Sequence, residues 1–141
     1  MAATAKTFAY AASLDRAGRL SAEGGEPTEV TAGSKPEHLV LAGLLGCTLA
    51  SLRYHARRFG IDDLVGSGSA SGRVTRREED GRYAFVEIDC SLEVELDPAL
   101  PTDDLAELLA KAERDCFVGA SLTSPPHYSW SVNGQPVLPS V

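Results

Sequence analysis

The chain has 141 residues, 43% hydrophobic and 23% charged, with a net charge of −7, which is the composition of one globular domain over residues 1–141 rather than of a disordered tail. The negative balance argues against nucleic acid as a partner, because an acidic surface repels phosphate. Three cysteines at wide spacing, Cys47, Cys90 and Cys116, fit neither a disulfide framework nor a paired-cysteine zinc site.

The opening MAATAKTFAY holds no apolar run of signal-peptide length, and no stretch is read as a clean membrane span, so the predicted address is cytoplasmic with no membrane partner. From Thr7 to Leu20, β-prone residues around Phe8 and Tyr10 and the turn DRAG predict a strand, a turn and a second strand. A loop follows through AEGGEPTEV and TAGS. Ser34 with Pro36 and Glu37 behind it then carries a capping-box signature, opening a helix that Gly60 ends. That helix is apolar nearly all round from Leu39 to Leu52, which predicts burial on most sides, with Arg53, His55, Arg57 and Arg58 on a wet last turn.

Residues 66–98 alternate as strands do, with EEDGR as the hairpin turn and Cys90 pointing with Ile88, Leu92, Val94 and Leu96 into the core. A second helix is predicted from Thr102 through Leu122, capped by Thr102 or Asp103, with Cys116 continuing the stripe of Leu105, Leu108, Leu109 and Ala112. HYSWSVNG supplies a last strand, with Tyr128 and Trp130 as core or dimer contacts. The order is hairpin, helix, hairpin, helix, strand, an α+β class.

Each predicted helix thus carries one cysteine on its buried side, and packed helices can bring two such thiols together. Packing alone also explains buried cysteines. Gly43 and Gly46, just before Cys47, point to close approach of backbone or ligand, because glycine costs a helix about 1 kcal/mol against alanine. A nucleophilic cysteine needs a cation to lower its pKa, and the helix offers none near Cys47, so a cation must come from elsewhere in the fold. His38, His55 and His127 form no ligand spacing with the cysteines, which argues against a metal. His55 lies about 12 Å along the helix from Cys47, which weighs against a Cys and His hydrolase.

KPEHLVLAGLLGC, with Glu37 ten residues before Cys47, resembles the Pro-Glu, apolar run, Cys motif of the OsmC/Ohr family of organic hydroperoxide reductases. DRAGRLSAEGG is similar to that family's Arg-x-Gly-Arg segment and aligns its arginine with Arg16, and ERDCFVG resembles its second cysteine motif. One position departs: Phe117 follows Cys116 where the family usually has proline. The resemblance implies an OsmC-like fold, antiparallel sheets wrapped around two central helices in an intertwined homodimer. It implies catalysis by Cys47 as peroxidatic thiol and Cys116 as resolving thiol, with Arg16 stabilising the thiolate and Glu37 holding Arg16. The reductant would be an external dithiol, with no bound cofactor. Ten residues of helix put Glu37 roughly 15 Å along the axis from Cys47 and about 80° around it, which favours sites shared between two copies. Apolar walls from Leu44, Leu45 and Phe117 predict alkyl or lipid hydroperoxides as substrates. The rival reading is a binding or structural protein of the same fold in which the cysteines only pack.

Overall fold

In the computed structural model, which describes residues 5–30 and 32–138, the chain divides into two compact units, residues 1–39 and 40–141. The first four residues, read above for a signal peptide, and Thr31 of the predicted TAGS loop lie outside the described residues.

The first unit holds β1 (Ala12–Leu14), β2 (Arg19–Ala22) and β3 (Thr28–Glu29), an antiparallel sheet in that order. Asp15 organises the β1–β2 turn: its carboxylate accepts the backbone N–H groups of Ala17 and Arg19, both at 2.9 Å, and the Arg19 Nε–H at 2.8 Å. Gly18, at φ 81°, takes the left-handed position that a side chain disfavours. This turn sets the pairing of residues 12–14 with 20–22, so the strand starts after Phe8 and Tyr10, which are exposed. The helix α1 (Pro36–Ala56) begins here. Its predicted cap is shifted by one residue, since the Lys35 N–H donates to Nδ1 of His38 at 2.9 Å. An imidazole acceptor at the third helical position thus does what Glu37 was expected to do.

In the second unit, α1 runs on into a 3-10 turn (Arg57–Phe59), and Gly60 at φ 78° ends it. The long hairpin β4 (Leu64–Arg76) and β5 (Tyr83–Leu96) follows, then α2 (Thr102–Arg114), α3 (Phe117–Ala120), β6 (His127–Val132) and β7 (Gln135–Val137). The sheet order is β4-β5-β6-β7. It is mixed rather than wholly antiparallel, because β5 and β6 are parallel. Parallel neighbours need a crossover, and α2 with α3 is that crossover. Strand β7 was not expected after HYSWSVNG. Asn133 (φ 51°) and Gly134 (φ 79°) make the two-residue turn that Asn-Gly favours, and Asn133 brackets Leu96 by accepting its N–H at 2.8 Å and donating to its carbonyl at 3.2 Å.

Helix α1 lies on the small-residue face of β4. A Cβ built at Gly66 would stand 2.7 Å from Leu49 Cδ2, one at Gly68 3.2 Å from Leu45 Cδ2, and one at Gly72 3.5 Å from Leu41 Cδ2. The i, i+4, i+8 row of leucines therefore fills the space that side chains would occupy on the strand. A bulge where Arg73 pairs Glu87 and Val74 pairs Phe85 turns the Phe85 ring onto Gly72. Around this contact Leu44, Leu52, Ile61, Ile88, Leu92 and Leu108 are fully buried.

Two expectations for the helices are corrected. Helix α1 is buried along one face and not nearly all round: Leu39, Val40 and Tyr54 are exposed, and Gly43 and Gly46 have nothing within 4 Å of an added Cβ. With Pro101 at its N-cap, α2 has no side-chain cap, neither from Thr102 nor from Asp103. A third correction concerns length, for residues 36–59 are long and apolar enough to cross a membrane by length and composition alone. The core helix of a globular protein meets that test as readily as a span does.

Candidate active site

Cys47, on α1, is half-buried, and its Sγ accepts the backbone N–H of Val118 at 3.5 Å. Burial pushes its thiol upward, the Val118 N–H holds it down, and a hydrogen bond and charge repulsion from Cys116 raise it again. The two sulfurs bond to adjacent residues of one short helix, Cys47 to the Val118 N–H and Cys116 to the Gly119 N–H, and no cation is among the influences on Cys47. Both cysteines are free thiols.

Cys116 is fully buried, but not on the helix expected to carry it. Helix α2 ends at Arg114, and Asp115 sits at its C-cap. The Asp115 carboxylate is engaged by Arg114 Nε at 2.9 Å and by His55 Nε2 at 2.8 Å, and Arg114 first, then His55, holds its pKa below 3.8. Cys116 then becomes the N-cap of α3, its Sγ accepting the Gly119 N–H at 3.4 Å. Helical spacing hid this break because Cys116 still points to the core across it.

A hydroxyl pair completes the inner thiol's surroundings. Thr48, fully buried on α1, has its Oγ1 2.8 Å from the Leu44 carbonyl, 3.4 Å from Cys116 Sγ and 3.3 Å from the Tyr128 hydroxyl. Burial first, and nearby thiols after it, push Tyr128 up to about 12, against the lowering Thr48 bond. Neither residue was singled out for chemistry from the sequence. The available signal was a threonine directly after Cys47 in an otherwise apolar run.

The remaining candidates fall as follows. Arg16 is exposed in the β1–β2 turn and Glu37 exposed in the first turn of α1, both in the first unit. Leu44 and Leu45, expected as pocket walls, serve the core: Leu44 is fully buried and Leu45 packs on Gly68. Phe117 is 53% exposed and its backbone N–H bears on Cys47. Cys90 is buried in β5 and raised to about 11 by burial first, then by Cys116 and Asp89. His55 is buried against Asp115 rather than turned to Cys47, with no partner for its Nδ1 among the described residues. No group of three or more His, Cys, Asp or Glu among the described residues is arranged to hold a metal ion.

Residues 26–131 match the family described as OsmC-like protein. No curated protein is significantly similar to the chain in sequence. Among solved structures, the organic hydroperoxide resistance protein OhrB of Bacillus subtilis is 22% identical with a TM-score of 0.52, over 91% of this chain and 98% of that one. An OsmC-like protein from Mycoplasma pneumoniae is 17% identical with a TM-score of 0.61, over 92% and 99%. An organic hydroperoxide resistance protein OsmC from Legionella pneumophila is 19% identical with a TM-score of 0.54, over 92% and 98%. At these identities the likeness is one of fold.

Proposed function

The chain belongs to the OsmC-like protein family, and from that membership we propose that it is a thiol-dependent peroxidase acting on organic hydroperoxides. The observation that carries the reading is the pair itself: a half-exposed Cys47 and a fully buried Cys116 whose sulfurs accept the neighbouring N–H groups of Val118 and Gly119 in one short helix. The hydroperoxide-resistance proteins among the structural neighbours support the choice of substrate.

The Cys47 thiolate attacks the outer oxygen of the hydroperoxide. An S–O bond forms, the O–O bond breaks, and the alkoxide leaves as alcohol after taking a proton, leaving Cys47 as sulfenic acid. Cys116 then attacks that sulfur; the S–S bond forms, the S–O bond breaks, and hydroxide departs as water with the Cys116 proton. An external dithiol reduces the disulfide by exchange and is itself oxidised. No cofactor takes part, and the protein works in the cytoplasm.

Cys47 is pushed upward by its burial, so the first step calls for a cation. Arg16 fills that role and Glu37 holds it, in a homodimer whose sites are shared between copies. A guanidinium suits the task because it keeps its charge and offers several donors at once. Phe117, exposed beside Cys47, supplies the apolar contact that favours alkyl over hydrogen peroxide. Intact mass after one equivalent of cumene hydroperoxide tests the reading. Loss of two hydrogens in the wild type, absent from Cys47→Ser, is expected. An unchanged mass favours instead a binding protein with packed cysteines, the reading that the raised Cys47 supports.

A further inference from the structure

The inner thiol poses a problem that Cys47 does not. Cys116 must lose its proton to attack, yet it is fully buried and no histidine, lysine or arginine bonds to its sulfur among the described residues. What does surround it is neutral: the Gly119 N–H at 3.4 Å, the Thr48 hydroxyl at 3.4 Å and the Leu44 carbonyl at 3.9 Å. A hydroxyl has one proton to give and lone pairs to accept with. Thr48 stands within reach of two acceptors, the Leu44 carbonyl at 2.8 Å and the sulfur, while Tyr128 at 3.3 Å offers a second hydroxyl behind it.

We propose that Thr48 is a catalytic residue for disulfide formation, its hydroxyl turning from the Leu44 carbonyl to the Cys116 sulfur as that sulfur ionises, and that Thr48 and Tyr128 together form the path by which the proton leaves. In the thiol state the Thr48 O–H donates to Leu44, the common back-bond of a helical threonine. In the thiolate state it donates to sulfur beside the Gly119 N–H, and a hydrogen bond to an ionised acceptor is worth roughly twice a neutral one. Thr48 gives its own proton to the Tyr128 oxygen as it takes the one from Cys116, so it ends by donating to the thiolate, and Tyr128 releases its phenol proton to solvent. Tyr128 is half-buried and lines an open groove with Glu113, Gly119, Leu122 and Pro126. Its raised pKa, about 12, keeps the phenol neutral before and after the transfer.

The role in turnover rests on Cys116 being the resolving thiol of the reading above, so the test is chosen to run without peroxide. An aromatic disulfide such as 5,5′-dithiobis(2-nitrobenzoate) labels the half-exposed Cys47 and releases one coloured thiolate. Cys116 then attacks the mixed disulfide, the Cys47–Cys116 bond forms, and a second thiolate is released with the Cys116 proton passing to solvent. In Thr48→Val the first release keeps its rate and the second falls on the order of tenfold to a hundredfold, the loss of one charge-assisted bond. Thr48→Ser restores the second release to within about threefold of wild type by the same measure, which a purely steric role would not do. Tyr128→Phe slows the second release alone, and by less. That variant carries the test if Thr48→Val does not fold.

An unchanged second release in Thr48→Val or Tyr128→Phe, an equal fall in both releases, or no second release from the wild type overturns the proposal. If peroxide leaves Cys47 untouched but Thr48→Val still slows only the second release, the peroxidase reading fails and this inference stands.

Discussion

On β4, a Cβ added at Gly66, Gly68 or Gly72 meets an atom between 2.5 and 2.8 Å away, whereas on α1 one added at Gly43 or Gly46 meets nothing within 4 Å. The strand glycines are places where another part of the same unit already occupies the space of a side chain. The helix glycines keep a backbone bare on an exposed face that also carries Leu39, Val40 and Tyr54. Such a face fits the second copy proposed above. One residue type thus marks a contact already made in one region and a surface held open in the other.

The largest effect in this comparison is expected at Gly68→Ala. Its Cβ would stand 2.8 Å from the Ser91 carbonyl oxygen, which is backbone of the paired strand and cannot swing aside, so denaturant unfolding should show a loss of about 1–3 kcal/mol. Gly66→Ala, where the nearest atom is the movable tip of Leu49, should lose less in the same measurement. An equal loss at the two positions would break the account of what each glycine accommodates.

A loss of about 1–3 kcal/mol is also expected for His55→Leu, which removes the buried partner of Asp115. Asp115 adds a pH dependence of known sign. Its folded pKa lies below the ordinary 3.8, so its contribution is full above the unfolded value and disappears as pH falls through the folded one. The stability gap between wild type and Asp115→Asn should be flat above about pH 5 and close below about pH 4. Urea unfolding at stepped pH would find no pH dependence in the gap if the carboxylate were not stabilised.

For the proposed cation, Arg16→Ala should move the pH profile of Cys47 alkylation upward, and Arg16→Lys should recover only part of the shift because an ammonium lacks the planar fork. The smallest effect is expected at Gly46→Ala. With the space open, helix propensity alone should raise the melting temperature at high dilution, a gain of about 1 kcal/mol at most. A loss there would mean that the face is covered even in the single chain.

Much of this was legible beforehand because it depends on local pattern. Alternation carried β5 and its inward Cys90, and the Asp15 to Gly18 turn carried the first hairpin. The Pro-Glu to Cys spacing carried the family. What the sequence concealed was three-dimensional. GSGSASG reads as strand, but nothing in it shows that its glycines make room for Leu49, Leu45 and Phe85. The break at Asp115 is invisible to a periodicity that resumes in phase, and Asn-Gly near the end is a plain hairpin signal that went unused for β7. Thr48 and Tyr128 are 80 residues apart, and no spacing rule joins a threonine to a tyrosine on a distant strand. The roles of Arg16 and Glu37 came from likeness alone.

The interruption ahead of Cys116 has a mechanical consequence. A helix of four residues has almost no cooperative resistance to unwinding, whereas α2 has thirteen. In the cycle proposed above, oxidation and reduction would therefore be absorbed by rewriting one turn of backbone, with the long crossover helix and the sheet beneath it left as they are. Amide exchange compared between the dithiol and disulfide forms should change over residues 116–122 and leave Leu108 and Leu109 as protected as before.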